Sequence, residues 1–191
     1  MHRSICVFCS SSDAVDAVYL DMADVMGTLI GGAGHTLVFG GGRVGLMGAV
    51  ARAVHRGGGR VVGILPGFMN RAGVPYAECD ELELTETMAE RKGRMMALAD
   101  AFIALPGGFG TLEEIAEVIT QKQFDILKRP LVAVNTNGFY DHLVAFFERF
   151  YAERFAKPAF RATCPFVAAP ADAMSYIDAW RPSPPTSKWF T

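Results

Sequence analysis

The sequence predicts an α/β fold, a parallel sheet with helices on both faces and three layers in all. Three observations point there. Short apolar runs alternate with stretches of helical periodicity from one end of the chain to the other. The core strands read as continuous apolar runs, as strands covered on both faces do. Glycine-rich turns follow two of the strands, at the edge where ligands bind in such sheets.

Each element has its own justification. Residues 4–9 form a short apolar strand, and Ser10-Ser11-Ser12-Asp13 is a polar turn that can cap a helix over 14–30 or meet a ligand. Gly31-Gly32-Ala33-Gly34 ends that helix. A buried strand over 36–39 leads into the glycine turn 40–48, a helix runs to Arg56, and a third strand covers 60–65. Residues 66–80 have no clear period and are long enough for a lid or functional loop. A short edge strand over 81–84 precedes a Met-rich helix over 88–99. There, Glu90 and Arg94 have the spacing of an ion pair on a solvated face. The apolar run 101–105 is a buried strand, followed by a helix over 111–124. A strand over 130–134, a helix over 140–154, a short strand over 166–168 and a helix over 170–180 complete the pattern. No linker or repeat divides the chain. The reading is one nucleotide-binding domain over 1–180 and a loosely ordered, proline-containing tail over 181–191.

Composition narrows the function. The chain has 191 residues, 51% of them hydrophobic, and a net charge of -2. No basic footprint for nucleic acid or an anionic membrane stands out. No apolar run approaches the roughly 18 residues of a membrane span. The start, Met1-His2-Arg3-Ser4, leads into a strand rather than a secretion signal, so a cytoplasmic location is expected. Cys6 and Cys9 have C-x-x-C spacing, but positions three apart in a strand face opposite sides, and no second cluster completes a metal site. Buried, reduced cysteines are expected, with no metal and no cofactor.

The stretch Pro106-Gly107-Gly108-Phe109-Gly110-Thr111-Leu112-Glu113-Glu114 carries the most chemistry. It joins a buried strand to a helix. Glycines let backbone approach a ligand, and the free N–H groups of the helix start favour an anion. Thr111 and Glu114 also fit a capping box, which only closes off backbone donors. Three glycines go beyond what a cap needs and suit a phosphate cradle. Glu113 and Glu114 would add carboxylates in the first helical turn.

The earlier turn contains G-x-G-x-x-G as Gly40, Gly42 and Gly45, between a strand and a helix. A dinucleotide site expects an acidic residue at the end of the next strand. That strand ends in Pro66-Gly67 instead. The turn is therefore read as a mononucleotide or phosphate contact, through Gly41 and Gly42. Arg43 reads as a solvated loop arginine, with an anion contact as the alternative.

These motifs together resemble the LOG family. Residues 106–114 match its P-G-G-x-G-T-x-x-E signature, residues 40–48 a second signature, and Arg91-Lys92 a third, in the family's order. The resemblance runs from about Ile5 to Trp180. It implies a Rossmann-like fold, usually a homodimer, and hydrolysis of the N-glycosidic bond of a cytokinin riboside 5′-monophosphate. Members often carry an old lysine decarboxylase label. By position, the resemblance implies Arg91 and Glu114 as the catalytic pair. It implies Lys92, Gly107, Gly108, Phe109, Gly110, Thr111, Leu112, Glu113 and Thr120 as substrate or phosphate contacts. Two positions depart from the family pattern. Ala89 stands where many members have histidine, and Gly73 stands near where many have a glutamate. Both lie where base or ribose would be read, so AMP is a candidate substrate beside the cytokinin nucleotides.

Two rivals carry different expectations. A non-catalytic nucleotide carrier would use the same crevice but needs no Arg91 or Glu114. A pyridoxal phosphate-dependent decarboxylase needs a Schiff-base lysine. Of the five lysines, only Lys92 lies near the expected crevice.

Overall fold

The computed structural model describes residues 2–184 and 186–190. The expected α/β sandwich is present. Seven strands pair in parallel: β1 (Ser4–Phe8), β2 (Thr36–Phe39), β3 (Arg60–Pro66), β4 (Glu81–Thr85), β5 (Ala101–Ala104), β6 (Leu131–Val134) and β7 (Phe166–Val167). Their order across the sheet is β4-β3-β2-β1-β5-β6-β7. The chain therefore winds outward in one direction from β1, returns, and winds outward in the other from β5. The reversal between β1 and β5 opens a crevice at their carboxyl ends, the usual ligand position in such sheets.

The strand period of two distributes the core. Ile5, Val7, Leu37, Phe39, Ile103 and Val132 point to one face. There they meet helices α1 (Ala17–Gly32), α2 (Gly45–Arg56) and, late in the chain, Pro170–Ala179. Cys6, Phe8, Val38, Ile64, Phe102 and Ala133 point to the other, against α3 (Met88–Leu98) and α4 (Phe109–Gln123). α5 (Asp141–Ala152) and α6 (Pro170–Ala179) complete the helices. Cys6 and Cys9 do fall on opposite faces, buried and free. Burial raises both thiols above their ordinary value.

Several expected boundaries shift for physical reasons. α1 starts at Ala17 rather than 14, because the serine turn is engaged elsewhere. Gly31 and Gly32 form the last residues of α1, which closes at Ala33 and at Gly34 with its φ of +69°, as the glycine stretch predicts. A side chain at Gly27 or Gly31 would overlap the carbonyls of Val50 and Val54, so these glycines allow α1 and α2 to pack closely. α4 starts at Phe109, with Gly108 as its N-cap. Thr111 therefore lies inside the first turn and is no cap, and Glu113 and Glu114 lie in the second turn. Glu90 and Arg94 do not pair with each other. Arg94 grips Glu83 of β4 with two bonds of 2.6 and 2.9 Å, while Glu90 accepts from the Glu86 N–H at 2.8 Å.

Residues 66–80 are no free lid. Arg43 N–H donates to the Val74 carbonyl, Tyr76 N–H donates to the Gly41 carbonyl, and Gly42 bridges Pro75. The Tyr76 phenol sits between His55 and Glu78 at 3.0 Å each, and Asp80 binds the other ring nitrogen of His55 at 3.0 Å. In the tail, Lys188 lies 3.8 Å above the ring of Phe124 at the end of α4. Of the expected tail, 185 and 191 lie outside the described residues. No described helix is long and apolar enough to cross a membrane.

Candidate functional site

The crevice between β1 and β5 is built from four segments. After β1, Ser10 bridges the two sides. Its N–H donates to the Pro106 carbonyl at 3.1 Å, and its carbonyl accepts from the Met47 N–H at 3.2 Å. Asp13 then turns back, and its Oδ1 accepts from the Gly45 N–H at 2.6 Å.

That contact corrects the expected use of the first glycine turn. Two of the first N–H groups of α2 are already taken, by Asp13 and by Ser10. Gly45, with φ of +61°, also packs against the backbone of Ser11 and Ser12. Those two donors are therefore spent within the fold. Gly41 instead offers its carbonyl to Tyr76, and Gly42 pairs with Pro75. Gly40 has a separate use: a Cβ there would overlap Nη2 of Arg91. The turn is a wall against which the arginine lies. Arg43 is exposed, and its Nε donates to the Gly73 carbonyl at 2.7 Å.

The second glycine turn is open. Leu112 N–H reaches the Gly108 carbonyl, but the N–H groups of Phe109, Gly110 and Thr111 have no backbone acceptor among the described residues. Gly107 is packed, since a side chain there would overlap Thr111 Oγ1. Gly108 and Gly110 have nothing within 4 Å of where a Cβ would stand. None of the three has a positive φ. Room, not left-handed backbone, is what these glycines supply. Thr111 is buried, with its hydroxyl oxygen against Gly107. Phe109 is almost fully exposed beside the turn.

Below this turn lie two buried charges. Arg91, from α3, donates from Nη1 to Glu114 Oε1 at 3.1 Å and from Nε to the Ile64 carbonyl at 3.1 Å. Burial pushes the Glu114 carboxyl up to about 7, and the neighbouring Arg91 charge only partly offsets this. Glu114 thus exchanges a proton near neutral pH. Next to this pair, Lys92 Nζ is held by Glu113 and, at 2.8 Å, by Glu117. These hydrogen bonds, to Glu113 first, hold the amine protonated above its usual range.

The structure therefore brings together Arg91, Glu114, Lys92, Glu113 and residues 107–111. It does not bring Thr120 to them. Thr120 is exposed two turns further along α4 than Glu113, and its hydroxyl donates to the Ala116 carbonyl at 2.8 Å. Leu112 is partly exposed on the outer side of α4. Sequence reasoning placed the Ser10–Asp13 turn at this edge, as a cap or ligand turn, but missed that it binds the start of α2 and the Pro106 carbonyl, and it missed the Ile64 carbonyl. Asp13 carried a usable signal, as a carboxylate after a strand with a helix start elsewhere to neutralise. Among the described residues, no group of three or more His, Cys, Asp or Glu side chains could hold a metal ion.

Comparison with known proteins shows the family of the chain. The family model described as "possible lysine decarboxylase" matches residues 47–177. A rice (Oryza sativa subsp. japonica) protein named probable cytokinin riboside 5′-monophosphate phosphoribohydrolase LOGL5 is 42% identical over 184 residues, covering 95% of this chain and 74% of that one. The chain belongs to the LOG family. An Arabidopsis thaliana relative, cytokinin riboside 5′-monophosphate phosphoribohydrolase LOG3, is 42% identical over 159 residues, 83% of this LOG-family chain and 74% of its own. Among solved structures, the molybdenum cofactor binding protein of the phototrophic bacterium Rippkaea orientalis superposes with a TM-score of 0.72. It is 22% identical, over 94% of this chain and 97% of that one. The Chlamydomonas reinhardtii molybdenum cofactor carrier protein gives the same TM-score of 0.72 at 22% identity, over 93% and 97% of the two chains. These structures share the fold.

Proposed function

We propose that this protein hydrolyses the N-glycosidic bond of a nucleoside 5′-monophosphate, releasing free base and ribose 5-phosphate. The observation that carries the reading is the buried Arg91–Glu114 pair beneath an unclaimed helix N-terminus. The activity is the one named in the plant relatives. AMP and the cytokinin riboside monophosphates are its substrates.

The chemistry follows from the geometry. The 5′-phosphate occupies the open side of Gly108 and Gly110 and takes the free N–H groups of Phe109, Gly110 and Thr111, with the Thr111 hydroxyl as a further donor. Holding the phosphate fixes the ribose over Glu114. As the C1′–N bond breaks, its electron pair leaves with the base and positive charge grows on the sugar. The ionised Glu114 stabilises that charge and accepts a proton from the attacking water, whose oxygen bonds to C1′. A proton from solvent goes to the departing base, and Glu114 afterwards returns its own proton to solvent, which closes the balance. Arg91 orients Glu114 and presents its remaining N–H groups to a ribose hydroxyl.

Lysine decarboxylation through Lys92 does not fit. A Schiff-base lysine must lose its proton, whereas two carboxylates hold Lys92 as an ammonium. Lys122 is partly buried with a lowered value, but its Nζ donates to the Arg129 carbonyl near the far end of α4.

The protein acts as a cytoplasmic homodimer without nucleic-acid or membrane partners. Its interface involves α3 and the end of α4, where Met88 and Phe124 stay exposed. Light scattering at micromolar concentration tests this, and a monomer contradicts it. For the reaction, AMP, isopentenyladenosine monophosphate and adenosine are each incubated with the protein and the products separated by chromatography. Free base from the two nucleotides and none from adenosine supports the reading. Tight nucleotide binding without base release contradicts it and favours a carrier.

A further inference from the structure

The root of the phosphate turn is held by one hydroxyl from beyond β6, on the same face of the sheet as α3 and α4. Tyr140 is buried, and its OH donates to the Leu105 carbonyl at 2.6 Å. Leu105 is the last residue before Pro106 and the open glycines. On its other side, Leu105 N–H is fixed to the Phe8 carbonyl at 2.9 Å, and Pro106 carbonyl takes the Ser10 N–H. Beyond these anchors, Gly107 packs against Thr111 and the Gly108 carbonyl accepts from the Leu112 N–H, while the N–H groups of Phe109, Gly110 and Thr111 point to no backbone acceptor among the described residues.

The chain goes to some length to deliver that hydroxyl. Between β6 and α5, Asn137 and Gly138 take positive φ values of 54° and 70°. Left-handed backbone is costly for a non-glycine residue and persists only where its surroundings enforce it. Asn135 enforces it here. Its Oδ1 accepts from the Tyr140 N–H at 2.6 Å, and its Nδ2 donates to Asp141 Oδ1 at 2.7 Å. The ring then sits edge-on against Phe139 and Phe166. Phenylalanine would fill that space equally well. What tyrosine adds is a donor for one carbonyl, and burial raises its hydroxyl well above the ordinary phenol value, so it remains a donor.

We infer that Tyr140, braced by Asn135, is a positioning residue for substrate: through the Leu105 carbonyl it fixes the turn that receives the 5′-phosphate. The inference rests on the phosphate-turn reading above. It places the residue's effect on ligands that carry a phosphate, and not on the stability of the fold alone.

The test is binding of ribose 5-phosphate and of adenosine, by calorimetry, to the wild-type chain, Tyr140→Phe and Asn135→Ala. Losing one buried hydrogen bond weakens ribose 5-phosphate binding about tenfold in Tyr140→Phe. It weakens it in the same direction, and less, in Asn135→Ala, where the hydroxyl remains. Adenosine affinity stays within about twofold. In turnover, KM for AMP rises while kcat holds. Equal losses for both ligands, or a lowered Tm with ribose 5-phosphate affinity unchanged, overturn the inference. If Tyr140→Phe does not fold, Asn135→Ala decides by the same pattern. A wild-type chain that binds ribose 5-phosphate but cleaves no nucleotide defeats the proposed reaction and leaves this test intact. A wild-type chain that does not bind it overturns the positioning role.

Discussion

Arg91 Nη1 and Glu114 Oε1 lie 3.1 Å apart, with only 7% and 5% of their side chains exposed. They come from α3 and α4, on one face of the sheet, 23 positions apart in the sequence. A buried ion pair is a poor stabiliser, because desolvation can exceed the attraction between the charges. Yet the protein builds a wall for it: Gly40 yields the space beside Nη2, and the Ile64 carbonyl takes Nε. That investment makes chemical sense at a reacting centre.

Breaking the pair from one side should cost more than the pair is worth. Arg91→Ala leaves Glu114 buried without its counter-charge. The expected destabilisation is about 3–5 kcal/mol, and less for Arg91→Lys, which keeps the charge but loses the two-direction grip. Thermal unfolding checks this. An unchanged Tm in Arg91→Ala would contradict the predicted cost of stranding the Glu114 carboxylate.

Stability should fall as pH rises through neutrality. The folded-state value of Glu114, about 7, is above the ordinary carboxyl value of 4.5. Between these values the folded chain holds a proton that the unfolded chain has released. The contribution is therefore complete below pH 4.5 and lost as pH passes 7, an effect of about 3 kcal/mol. Urea unfolding from pH 4.5 to 8 measures the slope, and Glu114→Gln removes it. Catalysis by the ionised carboxylate runs the opposite way, with kcat rising across the same range.

The two glycine classes in the phosphate turn should separate. Gly107→Ala overlaps Thr111 Oγ1 and lowers stability by about 1–3 kcal/mol. Gly108→Ala meets no atom within 4 Å and has a negative φ of -89°, so it folds normally. Its methyl group stands where the phosphate approaches, and KM for AMP rises at least about tenfold. Equal KM values for Gly108→Ala and wild type place the phosphate elsewhere.

Gly40→Ala should behave as a remote arginine mutant. Its methyl group displaces the Arg91 guanidinium, so kcat falls by about 10²-fold while nucleotide affinity changes little. Isothermal titration with AMP beside steady-state kinetics separates the two. A kcat near wild type would mean that Arg91 needs no wall.

Much of this architecture was legible in the residues. Continuous apolar runs such as Ala101-Phe102-Ile103-Ala104 named the buried strands, because burial on both faces leaves no polar position. Residues 106–114 named the site, because few other reasons call for so many glycines at a helix start. Other features depend on tertiary contacts that a linear reading does not reach. The G-x-G-x-x-G turn looked like a phosphate contact, but Asp13, 32 positions earlier, fills its helix start. Arg94 sat at pairing distance from Glu90 and instead crossed to Glu83 on the neighbouring strand. The apparent lid at 66–80 had no period because it is a run of short turns, such as Asn70 N–H to the Gly67 carbonyl, tied outward to Gly41, Arg43 and His55.

The central claim is that Glu114 performs the cleavage, and one comparison addresses it directly. Wild-type protein and Glu114→Gln, each shown folded by circular dichroism, are incubated with AMP at neutral pH, and free adenine is quantified by chromatography. The account predicts adenine and ribose 5-phosphate in equal amounts from the wild type. It predicts a rate lower by about 10²–10⁴-fold in Glu114→Gln, with Glu113→Gln close to wild type. Full activity in Glu114→Gln, with loss in Glu113→Gln, would contradict it.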